Sequence, residues 1–475
     1  MKSSSGRLFL LFGGLVVAIG CAPGGVVTPS SGQPPGWDDG VRLPDAADIN
    51  PDPGVVELNL EARLAPQSYV AGGPTMMWTY DGLVPGPLIR ARVGNRVVVR
   101  FSNALPEETT IHWHGLRISA AMDGMPDHSQ PPIQPGGSFV YDYVVPDAST
   151  FWYHPHVNSA VQEGNGLYGA FIVDDPSEPP GLGDEVVMVL SDLGVNDDGS
   201  LHAPDTGGDL GTLFGREGNV LLVNGKVRPT LKARPGLRQR WRFINAAKTR
   251  YFQIGLDGHA FTRIGGDGGL LTAPVEVAQP VITPGERMDL IVTPDGDAGS
   301  ELVVKWIAFD RGFGSTYGRP PEDLFVVRLE GTRAEPAPMP VVRRDIPPLA
   351  IDGATQIDLT LTQVSTTPFQ LGINGVAYKD SEPLMAHIDE TQVWTVTNTI
   401  DFAHPFHLHG FFFQVLSPER PLEWKDVVDV PVNGTVRFAV RYDDRPGMWM
   451  FHCHILDHAD AGMMGALMVM EPHAH

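Results

Sequence analysis

The chain has 475 residues, 42% of them hydrophobic and 19% charged, a globular composition whose length suits two or three domains better than one. Its 54 glycines and 43 prolines point to many short strands and turns and exclude an architecture of long helices. A formal net charge of −22 argues against nucleic-acid binding and for solubility, or a weak attraction for cations.

The N-terminus carries Lys2 and Arg7, then an apolar run from Leu8 to Gly20 that ends at Cys21. A basic head, an apolar stretch too short to span a bilayer and a small residue before the cut make a secretory signal over 1–21. Ala18-Ile19-Gly20-Cys21 also looks like a bacterial lipobox, in which Cys21 becomes the lipidated first residue of the mature protein. Leucine is commoner where Ala18 stands, and a plain cleaved signal is the alternative. The expected product is exported and periplasmic, touching a membrane only through a lipid at Cys21, and monomeric. Residues 22–53, rich in Pro, Gly, Ser and Asp, read as a flexible tether.

The remainder reads as three copies of one β unit. An Asp/Asn-Gly turn stands about twenty residues before an alternating strand that ends in Asn. The copies are Asp81-Gly82 with Val97 to Asn103, Asn224-Gly225 with Gln239 to Asn245, and Asn374-Gly375 with Val393 to Asn398. Three copies imply an all-β protein of three related barrel or sandwich domains. Pro-rich breaks at 176–183 and 335–348 place them at 54–178, 183–334 and 349–475.

Histidines are spread unevenly over these copies: of sixteen, four cluster in the first domain and six in the third. His202 and His259 of the middle domain stand apart as ordinary surface or core residues, so the middle copy reads as a spacer. Four segments carry histidine pairs at i,i+2: His112/His114, His154/His156, His407/His409 and His452/His454. On a strand both rings of such a pair face one side. Eight imidazoles from two domains are enough to hold three metal ions at the domain interface. Cys453, between His452 and His454, faces the opposite way. Cys453, His458 and a weak axial Met463 supply most of a blue-copper centre, which needs one more histidine. His404 has the opposite parity to His407 and His409 and completes it. A lone His-x-His also occurs in cores and zinc hydrolases, but zinc expects carboxylate ligands and no thiolate–methionine pair. Cysteine usage agrees: Cys21 belongs to processing and Cys453 has no disulfide partner, which leaves metal binding as its reason to exist.

With these four motifs in this order, the chain resembles a bacterial three-domain multicopper oxidase of the laccase type over essentially everything after the tether. The resemblance implies three consecutive cupredoxin-like Greek-key domains and four copper ions: one type 1, one type 2 and two type 3. His404, Cys453 and His458 match the type 1 ligands, with Met463 axial, and His112 and His407 match type 2. His114, His154 and His454 match one type 3 copper, and His156, His409 and His452 the other. It implies that a reducing substrate yields single electrons at a type 1 histidine edge near the surface. Cys453 and its neighbours His452 and His454 relay them to the cluster, where dioxygen becomes water.

Dioxygen reduction also consumes protons, so nearby acids matter. Asp123 matches the family's aspartate beside the type 2 copper, with a plain turn before Gly124 as the alternative. Many bacterial members carry a glutamate directly after the second type 1 histidine, where this chain has Ala459; Asp457, Asp460 or water must substitute. The donor is less legible. Only Met339 and Met385 lie between the middle and third domains, so the methionine-rich insertion of cuprous oxidases is missing. Met448, Met450, Met464, Met468 and Met470 alternate as core residues. Asp426 is read as a residue near the type 1 edge that meets a phenol or a cation, or else as plain loop. His473 and His475 are tail residues. The expected donors are phenols and aromatic amines, with Cu(I), Fe(II) or Mn(II) as the alternative. A non-catalytic copper-binding protein and a two-domain nitrite reductase are disfavoured by the complete histidine set.

Overall fold

A computed structural model describes residues 1, 32–313, 318–335 and 337–471. The signal segment, Cys21, the first part of the proposed tether, His473 and His475 lie outside the described residues. From Gln33 onward the chain is one compact unit.

Two sheets form around each copy of the repeat. In the first copy Val55–Val70 runs parallel to Arg96–Asn103 and antiparallel to Gly73–Tyr80, with Ser138–Val144 at the edge. The facing sheet holds Gly86–Arg92, Gly169–Asp174, Ser149–His154 and His112–His114. Alternation along Arg96–Asn103 sends Val97, Val99 and Phe101 inward, against Trp113, Tyr153 and Phe171 of the facing sheet. The middle copy pairs a six-stranded with a five-stranded sheet, and the third copy two five-stranded sheets. Parallel pairing recurs between Asp184–Leu193 and Gln239–Asn245, and between Thr355–Thr366 and Thr391–Asn398.

The repeat signature has a physical basis. Asp81, Asn224 and Asn374 hold left-handed backbones at φ 54°, 51° and 56°, each followed by a glycine at φ 83°, 70° and 78°. Two consecutive positive φ values close a two-residue hairpin, which is why Asp/Asn-Gly recurs. Each of the three side chains also accepts a backbone N–H of the neighbouring strand, from Glu61, Val189 and Thr360. The strand-ending asparagines act as identical clamps. Asn103 Nδ2 donates to the carbonyls of Glu107 and Ile133, Asn245 to those of Arg250 and Ile282, and Asn398 to those of Phe402 and Pro431. Their Oδ1 atoms accept the N–H groups of Leu105, Ala247 and Ile400. Each clamp fixes where its strand stops and where the next loop leaves the sheet.

Among the described residues α-helix is confined to three short pieces: α1 (Ser159–Gln162), α2 (Gly208–Phe214) and α3 (Leu456–Asp460). α3 lies in contact with both α1 and α2, so it joins the first, middle and third copies.

One expectation needs correction. The described part of the tether is packed over residues 33–43, while 44–53 is mostly exposed. Val41 is fully buried in the middle core with Val186, Leu221 and Leu231, and Leu43 is buried beside Leu88 and Val187. Lys226 Nζ donates to Gly40 O at 2.9 Å, and Asn224 Nδ2 donates to Val41 O. The polar composition hid three apolar anchors, Trp37, Val41 and Leu43, because composition averages over them. Val41→Ala is expected to cost about 2 kcal/mol in stability, read as a lower urea midpoint; an unchanged midpoint would restore the loose tether.

Candidate metal centre

Two faces of the third-domain sheet and one face of the first build the site. His404–Leu408 pairs antiparallel with both Val427–Val430 and Gly447–Cys453, so Phe406 sits opposite Cys453 and His407 opposite His452. The chain then turns into α3, which brings His458 back beside Cys453. His404 Nδ1 lies 3.4 Å from Cys453 Sγ, Cys453 Sγ lies 3.5 Å from His458 Nδ1, and the two Nδ1 atoms are 3.2 Å apart. All three side chains are buried. Met463 is buried in the same core, and its carbonyl accepts the Cys453 N–H at 3.1 Å.

The other face holds eight rings. In the first domain His112–His114 pairs with Ser149–His154, which sets His112 opposite His154. Ligand atoms gather within 4.8 Å of one another in His112/His114/His407, in His114/His154/His454 and in His156/His409/His452. The groups mix first-domain and third-domain residues, so the site exists only where the two domains meet.

Outer hydrogen bonds decide which nitrogen faces inward. The Nδ1–H groups of His112, His154, His407 and His452 donate to the carbonyls of Asp123 (2.9 Å), Pro155 (3.0 Å), Asp426 (2.8 Å) and Cys453 (2.9 Å). His409 Nδ1 donates to Asp123 Oδ2 at 2.8 Å, and His114 Nε2 lies 3.3 Å from Asp426 Oδ1. Nε2 of His112, His154 and His407 and Nδ1 of His114 are buried with no hydrogen-bond partner. Buried lone pairs left unpaired around one space are costly unless a cation fills it. Burial pushes the rings of His114, His154, His156, His404, His407, His409 and His454 well below the ordinary histidine value, His452 to about 4 and His458 to about 3, and pushes the Cys453 thiol up. Neutral imidazoles and a thiol shielded from water are donors for a soft or borderline metal such as copper.

Known proteins share this arrangement. Models of multicopper oxidase domains match residues 65–178, 184–304 and 350–473. The chain belongs to the multicopper oxidase family. Over 82% of its length it is 33% identical to the multicopper oxidase MmcO of Mycobacterium tuberculosis, spanning 83% of that protein. It is 28% identical to a laccase of Bacillus subtilis over 84% of this chain and 91% of that one. Among solved structures, a multicopper oxidase of Pseudomonas thermotolerans superposes with a TM-score of 0.76 at 30% identity, covering 87% of this chain and 99% of that one. A metallo-oxidase of Campylobacter jejuni superposes at 0.80 with 25% identity, covering 90% and 94%. The protein is a copper oxidoreductase that uses dioxygen, with four copper ions as cofactor.

Several sequence expectations of this oxidase shift in the structure. The expected type 1 rings, His404 and His458, are themselves buried, and His458 Nε2 donates to the carbonyl of half-buried Leu213 of α2 at 3.0 Å. Asp426 is not near the type 1 edge. It is buried behind His114 and His407, where Arg287 grips its carboxylate. Asp123 is buried and bonded to two rings, as its position beside Gly124 allows. Asp457 is held by Arg216, through its backbone N–H at 2.8 Å and its guanidinium, and Asp460 accepts the Ala160 N–H at 2.9 Å. Both acids therefore hold α3 to its neighbours. Of the five C-terminal methionines only Met450 is fully buried, the others being half-buried.

Sequence reasoning missed Glu163. It is buried at the end of α1 with Oε2 3.0 Å from His154 Nδ1, and burial pushes its carboxyl well above the usual range. No motif announces it; only the fold brings α1 against the cluster. The lowered ring values set a pH dependence. An unfolded histidine takes up a proton below about 6.5, whereas His452 stays neutral down to about 4 in the fold. Metal-free protein is therefore expected to lose stability as pH falls from about 6.5 toward 4. Urea midpoints at pH 7 and pH 5 check this, and equal midpoints would mean solvated rings.

Proposed function

We propose that His404, Cys453 and His458, with Met463 axial, hold the type 1 copper, and that His112 and His407 hold type 2. His114, His154 and His454 hold one type 3 copper, and His156, His409 and His452 the other. Copper at these sites supplies one-electron uptake from a reducing donor and the four-electron reduction of dioxygen to water. The observation that carries this reading is the division of donors across one strand, with Cys453 grouped with His404 and His458 while His452 and His454 join two other groups. One peptide bond on either side of Cys453 thus links the two faces through covalent backbone. Asp123 orients His409 and His112, and Pro155, Cys453 and Asp426 orient their partner rings through carbonyls. Asp457 and Asp460 are assigned to holding α3, with Glu163 a further acid beside a ligand ring, 3.0 Å from His154 Nδ1.

Phenols and aromatic amines are the proposed donors. The group on His458 Nε2 is a neutral main-chain carbonyl, and Phe402 packs against His404 and His458 at 5.1 and 5.3 Å between centroids. Among the described residues no carboxylate is hydrogen-bonded to either type 1 ring, so nothing there ligates a metal ion for inner-sphere delivery. The competing reading, a metallo-oxidase, draws on the similar Campylobacter jejuni protein and on the net charge of −22. The domain limits 54–178, 183–334 and 349–475 stay as proposed from the Pro-rich breaks. Lys2, Arg7, the apolar run and Cys21 support export to the periplasm with a lipid anchor, and a monomer is the proposed state.

Dioxygen uptake by the copper-loaded protein with a methoxyphenol, Cu(I), Fe(II) and Mn(II) at matched concentration is the test. The phenol is expected to turn over fastest; faster turnover on a metal ion would assign the metallo-oxidase role. Cys453→Ser is expected to remove the blue absorbance and at least 99% of uptake while leaving the circular dichroism spectrum unchanged, because a hydroxyl is a poor substitute for a thiolate ligand, roughly a hundredfold effect or more. Retained activity would refute the relay.

A further inference from the structure

The middle domain supplies no histidine to the centre, yet it reaches the cluster through a buried arginine. Arg287 opens the strand Arg287–Val292 and is wholly buried. Its guanidinium makes five hydrogen bonds. Nε donates to Thr150 O of the first domain at 3.0 Å; Nη1 donates to Gly285 O at 3.0 Å and to Asp426 Oδ1 at 2.6 Å; Nη2 donates to Asp267 O at 3.2 Å and to Asp426 Oδ2. Five N–H groups thus meet five acceptors drawn from all three domains, leaving the fork no freedom to turn.

What the fork holds is Asp426, and Asp426 touches two rings in different ways. Its side chain lies beside His114 Nε2 at 3.3 Å, and its carbonyl accepts His407 Nδ1–H at 2.8 Å. Those two rings stack at 3.9 Å between centroids with an interplanar angle of 11°. Under the ligand reading above, on which this inference rests, His407 faces the type 2 copper and His114 a type 3 copper. Asp267 and Lys425 complete the support. Lys425 Nζ lies 3.0 Å from Asp267 Oδ2, and Asp267 Oδ1 accepts the Arg287 backbone N–H at 2.9 Å. Two residues before Arg287, Gly285 packs so close to His454 that an added Cβ would stand 2.7 Å from the ring. The type 1 set, His404, Cys453 and His458, has no hydrogen bond to any member of this network among the described residues.

We infer that Arg287 is a positioning residue of the trinuclear cluster, setting the orientation of His114 and His407 through Asp426. The middle domain is then a working part of the cluster's outer support and not a spacer.

The test uses the full-length copper-loaded protein and its Arg287→Lys and Arg287→Met variants. Copper per chain, the type 2 paramagnetic resonance signal, the blue absorbance and the melting temperature are measured together. Lysine keeps the charge and loses the bidentate fork, so the expected result is an altered type 2 signal with the blue absorbance intact. Dioxygen uptake is expected to fall roughly 10- to 100-fold, the range found for outer partners of metal ligands. Arg287→Met is expected to hold close to one copper fewer per chain. A folded Arg287→Lys protein with the parent's type 2 signal and copper content, changed only in melting temperature, would overturn the inference, whatever becomes of Arg287→Met. Failure of the ligand reading itself looks different: the parent protein would then lack the blue absorbance or bind fewer than four coppers.

Discussion

Successive side chains on the strand Gly447–Cys453 leave the backbone on opposite faces, and the geometry of the whole centre follows from that alternation. Cys453 enters the third-domain core and meets His404 and His458, while His452 and His454 leave toward the first domain. A shift of one residue in register would exchange the two faces and place the thiol among the imidazoles. The antiparallel partner His404–Leu408 shares the same constraint, since His404 and His407 face opposite ways while both pair with the strand Val427–Val430. The barrels around these strands hold that register through the asparagine clamps and two-residue turns repeated in all three domains.

Burial does the chemical preparation. Buried rings, backed by carbonyls that fix the tautomer, keep their lone pairs pointing into one space. The cost of hiding so many polar atoms is met by the outer shell, in which Asp123 and Asp426 each serve two histidines. Arg287 in turn serves Asp426, so charge inside the interface is balanced at short range.

The grouping of the histidines and Cys453 was legible because it depends on local spacing: i,i+2 pairs, a cysteine of opposite parity, a histidine five residues on. The repeat was legible for the same reason, since Asp/Asn-Gly and the terminal Asn act through their own backbone neighbourhoods. What stayed hidden depends on residues far apart in the chain. Leu213 covers His458 across 245 positions, and Asp426 meets Arg287 across 139. Neither pairing leaves a trace in periodicity or composition, and the reading of Asp426 as a surface contact near the type 1 edge failed on that account. The packed segment 33–43 was missed for a different reason, its few apolar anchors being diluted among prolines and acids.

The shared ownership of the eight-ring face bears on how the enzyme matures. His112, His114, His154 and His156 come from the first domain and His407, His409, His452 and His454 from the third, and each group mixes the two. Neither domain alone can present a complete group, whereas the set of His404, Cys453 and His458 lies within one domain. Under the ligand assignment proposed above, the type 1 group is complete within the third domain, whereas the other groups are complete only where the first and third domains meet. Copper held there would fasten distant parts of the chain to one another as well as serve as a reactive centre.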